Sequence, residues 1–184
     1  MKIVLASNSP RRKELLARYG YEFEVIPSHI EETLDSNLSP KENVKNLAKS
    51  KCLDVYKNNA DKVVIGADTI VVYQSEIFGK PNDRNHAFEM LKKLQGNIHE
   101  VMTGICIIGN NKIYNEVVVS QVEFYPMSDE EINEYIATKE PNDKAGAYAI
   151  QGIGGKYIKR LIGDYDNIVG LPIGLVDQIL KNII

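Results

Sequence analysis

The sequence predicts an α/β protein built on a mixed, twisted sheet with helices on both sides. Three observations carry that expectation. Short strand-like runs alternate with stretches of 3.6-residue apolar period, the pattern of strand–helix crossovers. One run, Val63–Val72, is nearly continuous apolar sequence rich in β-branched residues, and reads as a strand buried on both faces. Two further strand-like runs, Glu100–Ile108 and Lys112–Tyr125, flank Gly109-Asn110-Asn111, a hairpin signal.

Lys2–Ala6 is a short apolar strand, followed by a helix over Pro10–Tyr19 with Leu15, Leu16 and Tyr19 on one side. A second strand, Glu22–Ile26, leads into an acidic, weakly patterned stretch from Ser28 to Asn37. Ser39-Pro40-Lys41-Glu42 has the spacing of a capping box with proline at the first helical position. The helix it opens carries Val44, Leu47, Ala48, Cys52 and Val55 as one stripe. Asn82–Leu94 is helical by period and stops at Gly96. Ser128-Asp129-Glu130-Glu131 is a second capping box, opening a helix that runs to about Thr138. A Gly- and Ala-rich segment, 145–155, precedes a strand near Lys156–Ile162 and a closing helix from about Pro172. No repeat or linker interrupts the order, so the 184 residues are expected to form a single domain, 1–184.

Composition narrows the function classes. With 43% hydrophobic and 26% charged residues the chain can bury a core and stay soluble. Twenty-two basic against 25 acidic residues leave a net charge of -3, which argues against a nucleic-acid-binding surface. A small anionic ligand is not excluded, because local cations can hide in an acidic total. The first apolar run is too short for a signal peptide, and none approaches a membrane span. Cys52 and Cys106 lack Cys-x-x-Cys spacing and read as reduced, buried thiols of a cytoplasmic protein. His29, His86 and His99 do not have zinc-site spacing. No Walker-type phosphate loop and no Ser-His-Asp or Cys-His arrangement is present.

Four segments can carry chemistry. In Ser7-Asn8-Ser9-Pro10-Arg11-Arg12, hydroxyls and guanidiniums gather at a helix N-terminus, where free N–H groups attract phosphate. The competing account is that Ser9 merely caps the helix and the arginines are solvated. Asp68, in Gly66-Ala67-Asp68-Thr69, interrupts the most apolar strand, so its carboxylate must be paired, metal-bound or at the strand's mouth. Gly66 would let another group come close. Lys51 falls on the apolar stripe of its helix; snorkelling to the edge is the commoner account, meeting an anion the other. Lys80 and the pair Glu31-Glu32 are weaker signals, the acidic pair being either a metal holder or a solvated loop. The run Asp143–Gly152 has small residues that admit a flat ligand, with Gln151 able to hydrogen-bond a base edge; a packed turn explains it equally.

Taken together these segments resemble the Maf family of nucleotide pyrophosphatases. The resemblance runs from Leu5-Ala6-Ser7 and Ser9-Pro10-Arg11-Arg12 through Gly66-Ala67-Asp68-Thr69 and Gly79-Lys80-Pro81. It continues with Gly96 and His99, the Asp143–Gly152 run, Gly163-Asp164-Tyr165 and Val169-Gly170-Leu171-Pro172. It implies an elongated α/β fold of two lobes with a central cleft, in many members a homodimer. It implies hydrolysis of a nucleoside triphosphate to monophosphate and pyrophosphate with Mg or Mn, in the cytoplasm, with neither nucleic acid nor membrane as partner. Asp68 would be the proton acceptor; Ser7, Arg12, Lys51 and Lys80 would hold the phosphates. Arg11, Thr69 and Gln151 would shape base selectivity, and Glu31 would help Asp68 hold the metal. Asp-Lys-Ala-Gly-Ala-Tyr and Ile-Gln-Gly are similar to the branch acting on dTTP and UTP, with Ala149 a departure where glycine is commoner. A nucleotide-sensing regulator of septum formation and a pyrophosphatase for purine analogues are the rival readings.

Overall fold

A computed structural model describes residues 2–183. Its seven-stranded sheet has the order β2-β1-β3-β5-β6-β7, with β4 added on β3, and helices flank it. The strands are β1 Ile3–Leu5, β2 Phe23–Val25, β3 Val63–Tyr73, β4 Glu76–Phe78, β5 Ile98–Gly109, β6 Lys112–Phe124 and β7 Ile158–Ile162. The helices are α1 Pro10–Arg18, α2 Pro40–Tyr56, α3 Arg84–Leu94, α4 Asp129–Ala137, α5 Tyr165–Val169 and α6 Ile173–Ile183. The sheet is mixed as expected: β1 runs parallel to β2 and β3, whereas β4 is antiparallel to β3 and β7 to β6.

The chain divides into two compact units. The first comprises 1–69, 103–118 and 170–184, the second 70–102 and 119–169. Strands β3, β5 and β6 each give residues to both.

In the first unit α2 lies directly on the sheet because two glycines make room. A Cβ at Gly66 would stand 2.6 Å from the Ala48 carbonyl oxygen and 2.7 Å from the Cys52 Cβ; one at Gly104 would stand 2.3 Å from the Val44 carbonyl oxygen. No side chain fits those gaps. Both capping boxes are formed, at Ser39–Glu42 and at Ser128–Glu131 in the second unit. Cys52 and Cys106 are buried free thiols, packed with Val4, Val55, Val64 and Ile108. The hydrogen bond between them pushes the Cys52 thiol up and the Cys106 thiol down; by their burial and packing both serve as small core residues.

The second unit has its own core, in which Leu91, Leu94, Val122, Ile132 and Tyr135 are almost fully buried. His99 sits there against Phe124 and Tyr148, with ring centroids 5.1 and 5.3 Å away. Its Nε2 is 2.7 Å from the Tyr148 hydroxyl, and burial pushes its pKa down to about 4.

The structure adds elements that the periodicity does not reveal. Strand β3 runs on to Tyr73 and folds back as β4 through Gln74 and Ser75, both at positive φ (50° and 67°). That is the backbone of a two-residue hairpin turn, but without the Asn-Gly or Gly that normally marks one. Asn110 and Asn111 (φ 51° and 58°) do form the anticipated turn between β5 and β6. Helix α3 begins two residues later than its period suggests, because Asp83 is its cap and accepts from the His86 N–H at 2.8 Å. Tight helical turns at Glu140–Asp143, Ala145–Ala147 and Ile153–Tyr157, and the short α5, occupy stretches with no readable period.

Candidate active site

Strand β1 stops at Leu5, paired with Ile65 of β3, while β3 continues. The residues just past that point, Ser7 in the loop after β1 and Asp68-Thr69 within β3, therefore meet where the parallel pairing of β1 and β3 ends. This is where open α/β sheets place ligands. Side chains alternate along β3, so Gly66 and Asp68 share the face toward α2 and Thr69 points to the other.

On the α2 face, Lys51 Nζ donates to Asp68 Oδ1 at 2.6 Å and lies 2.8 Å from Glu32 Oε1. The Lys51 side chain is 10% exposed and that of Asp68 11%. Lys51 thus does not snorkel; its stripe position is explained by a buried anion, and the same pairing explains the carboxylate in the apolar strand. The Gly66 gap produces this contact, since Lys51 immediately precedes the Cys52 that packs on that glycine.

Helix α2 also fixes the acidic loop. Asp54 Oδ2 accepts from the Ser28 hydroxyl (3.1 Å) and the His29 N–H (3.0 Å). The buried Asn43 amide accepts from the Asp35 N–H and donates to the Asp35 carbonyl, at 2.8 and 2.9 Å. Bonds to Lys57 and to the His29 N–H lower the Asp54 pKa to about 2, so this tie stays ionised at neutral pH. Glu31, the family-implied metal residue, is exposed on this loop; its neighbour Glu32 is the one that reaches Lys51.

On the α1 side, Arg12 is buried and spends its guanidinium on three partners. Nε donates to the Gly170 carbonyl (2.8 Å), Nη1 to Ser7 Oγ (3.1 Å) and Nη2 to Thr69 Oγ1 (3.0 Å). Thr69 Oγ1 is in turn 2.9 Å from Thr103 Oγ1 on β5. Ser9 stands at the N-cap position without a side-chain cap bond, and its N–H donates to Ser7 Oγ at 3.2 Å. The capping account of this motif thus fails for Ser9, and the solvated-arginine account fails for Arg12; Arg11 remains partly exposed. Burial lowers the Arg12 pKa from its ordinary value while Asp68 opposes that shift, and guanidinium keeps its charge at neutral pH.

The first unit therefore gathers Ser7, Arg12, Lys51, Asp68 and Thr69, with Glu32 alongside. Lys80 and Gln151 belong to the second unit and are exposed there. Sequence reading names Glu32 only as half of an acidic pair and passes over Thr103, Asn43 and Asp54. Asn43, Leu47, Lys51 and Asp54 recur at helical spacing, so a polar edge of the α2 stripe was the available signal.

Two carboxylates, Glu32 and Asp68, converge on one ammonium. Among the described residues no group of three or more His, Cys, Asp or Glu is arranged to hold a metal ion. Mg²⁺ characteristically takes one or two carboxylates and completes its shell with water and substrate phosphate, and this donor set fits that use.

Comparisons with known proteins show the family and the fold. The family model described as "Maf-like protein" matches residues 2–183. A dTTP/UTP pyrophosphatase of Bacillus anthracis is 48% identical over 180 residues, covering 98% of this chain and 94% of the relative. A dTTP/UTP pyrophosphatase of Bacillus cereus is 49% identical with the same coverage. The structure of the Staphylococcus aureus Ham1 protein shares the fold, with a TM-score of 0.51 at 17% identity over 99% of both chains. On its motifs, its fold and its relatives, the chain belongs to the Maf family.

Proposed function

We propose that this protein hydrolyses nucleoside triphosphates, dTTP and UTP foremost, to the monophosphate and pyrophosphate. The observation that carries the reading is the Lys51–Asp68 pair, buried midway along β3, just past the end of β1, beside an arginine held at three points. Relatives covering nearly the whole chain are dTTP/UTP pyrophosphatases, which favours turnover over the nucleotide-sensing regulator. No observation supports the regulator.

The roles follow from charge. A triphosphate brings dense negative charge, so Ser7, Arg12 and Lys51 in the first unit and Lys80 in the second supply donors and cations. When substrate arrives, Lys51 can exchange its carboxylate partners for phosphate oxygens. This frees Asp68 Oδ1 to accept the proton of the attacking water, and a carboxylate within hydrogen-bond reach of a water is a competent base. Asp68, with Glu31 or Glu32, would hold the divalent cation, Mg or Mn. When bound, the cation supplies positive charge against the triphosphate and the leaving pyrophosphate. Arg11, Thr69 and Gln151 shape the choice of base. Thr69 already holds the Arg12 guanidinium, which ties that choice to the phosphate grip.

The same reading treats 1–184 as one functional domain working in the cytoplasm as a homodimer, with neither nucleic acid nor membrane as partner. No helix among the described residues is long and apolar enough to cross a membrane, and the net charge of -3 is the wrong sign for binding nucleic acid.

Pyrophosphate release from dTTP, UTP, CTP, GTP, 7-methyl-GTP and ITP, with Mg²⁺ or Mn²⁺ and with chelator, tests it. Metal-dependent release led by dTTP and UTP is expected. Release led by a purine keeps the reaction and overturns the base assignment. Binding without release from any nucleotide makes the regulator the better account.

A further inference from the structure

Gln151 lies in a segment with little regular structure, and the second unit holds that segment by one carboxylate. Glu140 Oε2 accepts from the Ile153 N–H at 2.8 Å, and its Oε1 accepts from the Gly154 N–H at 2.9 Å. The Tyr135 hydroxyl donates to Glu140 Oε1 at 2.6 Å and accepts from the Ala149 N–H at 3.2 Å. Three backbone N–H groups, at 149, 153 and 154, thus end on a single Tyr135–Glu140 couple, and Gln151 is in the span between them.

Two glycines show how close the segment lies to that couple. A Cβ at Gly152 would stand 2.1 Å from Glu140 Oε2, and one at Gly154 would stand 2.4 Å from the Tyr135 hydroxyl. Glu140 takes no part in the phosphate or proton chemistry assigned above. Its carboxyl pKa is nevertheless lowered: burial acts against this, and is outweighed by hydrogen bonds from Tyr135, Gly154 and Ile153 and by the nearby Lys144 charge. The couple is therefore an ionised acceptor facing fixed N–H donors at neutral pH. That arrangement defines a backbone path rather than merely filling space.

We propose that Glu140, with Tyr135, is a positioning residue for base selectivity: it sets the path of residues 149–154 and through it the aim of the Gln151 side chain. The inference rests on the reading that Gln151 meets the base. Glu140 touches neither base nor phosphate in this scheme, so its loss changes which base is preferred more than how phosphate is held.

Glu140→Gln is the informative variant. It keeps the shape but replaces one acceptor oxygen with an NH₂ group, which must face a backbone N–H. The preference for dTTP over CTP, as a ratio of kcat/KM, is expected to change by about tenfold, mostly through KM. Inhibition by inorganic pyrophosphate, which needs no base, is expected to stay within about twofold of wild type. Gly152→Ala reaches the same point without altering charge: its methyl must drive the Glu140 carboxylate and the segment apart, breaking the tie between them, and the preference should shift similarly. A folded Glu140→Gln or Gly152→Ala protein with unchanged base ranking overturns the inference. So does an equal loss on every triphosphate that also weakens pyrophosphate binding, since that is general damage. Gln151→Ala in the same panel keeps the two readings apart. Unchanged ranking there removes Gln151 as reader of the base, whereas unchanged ranking in Glu140→Gln alone removes the positioning role.

Discussion

The two units stabilise their functional residues by opposite means. In the first, cationic side chains are held by oxygen acceptors: Lys51 by the carboxylates of Asp68 and Glu32, and Arg12 by the neutral oxygens of Ser7, Thr69 and the Gly170 carbonyl. In the second, a carboxylate and a tyrosine hydroxyl hold backbone N–H groups, and a buried neutral histidine packs between aromatic rings. A cation among acceptors can exchange partners when a charged substrate arrives, because ammonium and guanidinium donate to phosphate as readily as to carboxylate. A backbone held at fixed points keeps its shape instead. Under the function proposed above, the first arrangement suits chemistry on phosphate and the second suits discrimination between bases.

The largest effect expected is from Asp68→Asn. The amide oxygen still accepts from Lys51, so the fold and nucleotide affinity should survive while turnover falls by about 10²–10⁴. Single-turnover rates and nucleotide binding check this; wild-type rates would remove Asp68 from the mechanism and leave the first unit a binding cluster only.

Next is Gly66→Ala, which attacks the packing that delivers Lys51. The added methyl meets backbone at 2.6–2.7 Å, so stability is expected to drop by about 2–3 kcal/mol, with turnover falling alongside. A denaturant midpoint within error of wild type would mean that α2 shifts freely and that the cation's place is not set by that contact.

His99 supplies a test confined to the second unit. Its folded pKa of about 4 lies below its ordinary 6.5, so the unfolded chain binds the proton more readily. The stability it contributes is present above pH 6.5 and is lost as pH falls toward 4. The difference is on the order of 3 kcal/mol. His99→Gln should flatten that part of the melting temperature against pH curve relative to wild type; parallel curves would show that other groups carry the acid sensitivity.

The smallest effect is expected from Gln151→Ala. A lost base contact is worth about 1–2 kcal/mol, a shift in base ranking of about tenfold with little change in the fastest turnover. Kinetics on the triphosphate panel measure it. If turnover collapses on every substrate, the division of labour between the units breaks down.

Much of this was legible in the sequence because it depends on local order. The capping boxes at Ser39 and Ser128 and the Asn110-Asn111 turn appear where the residues placed them, since each is satisfied within four residues. The stripe of α2 and the buried run of β3 were equally plain. The turn at Gln74-Ser75 was not legible, since residues that ordinarily avoid positive φ adopt it there. Glu32 could not be told from Glu31 either: which of two adjacent carboxylates reaches Lys51 depends on the ties of their loop to Asp54 and Asn43.

By itself, then, the sequence determined the class of fold, the order of its main elements and two residues whose placement calls for an explanation. Asp68 in an apolar strand and Lys51 on an apolar stripe each violate the burial rule, and such violations are visible without coordinates. Only the tertiary structure decided that the two anomalies answer each other. Lys51 and Asp68 meet 17 residues apart in the chain because Gly66 and Gly104 let a helix rest on the sheet. Likewise only the tertiary structure showed that Arg12 is held by Gly170, 158 residues away, and that Glu140 holds the segment bearing Gln151. Periodicity and capping report on neighbours in sequence, whereas hydrogen bonds between distant residues are chosen by the packing that brings them together.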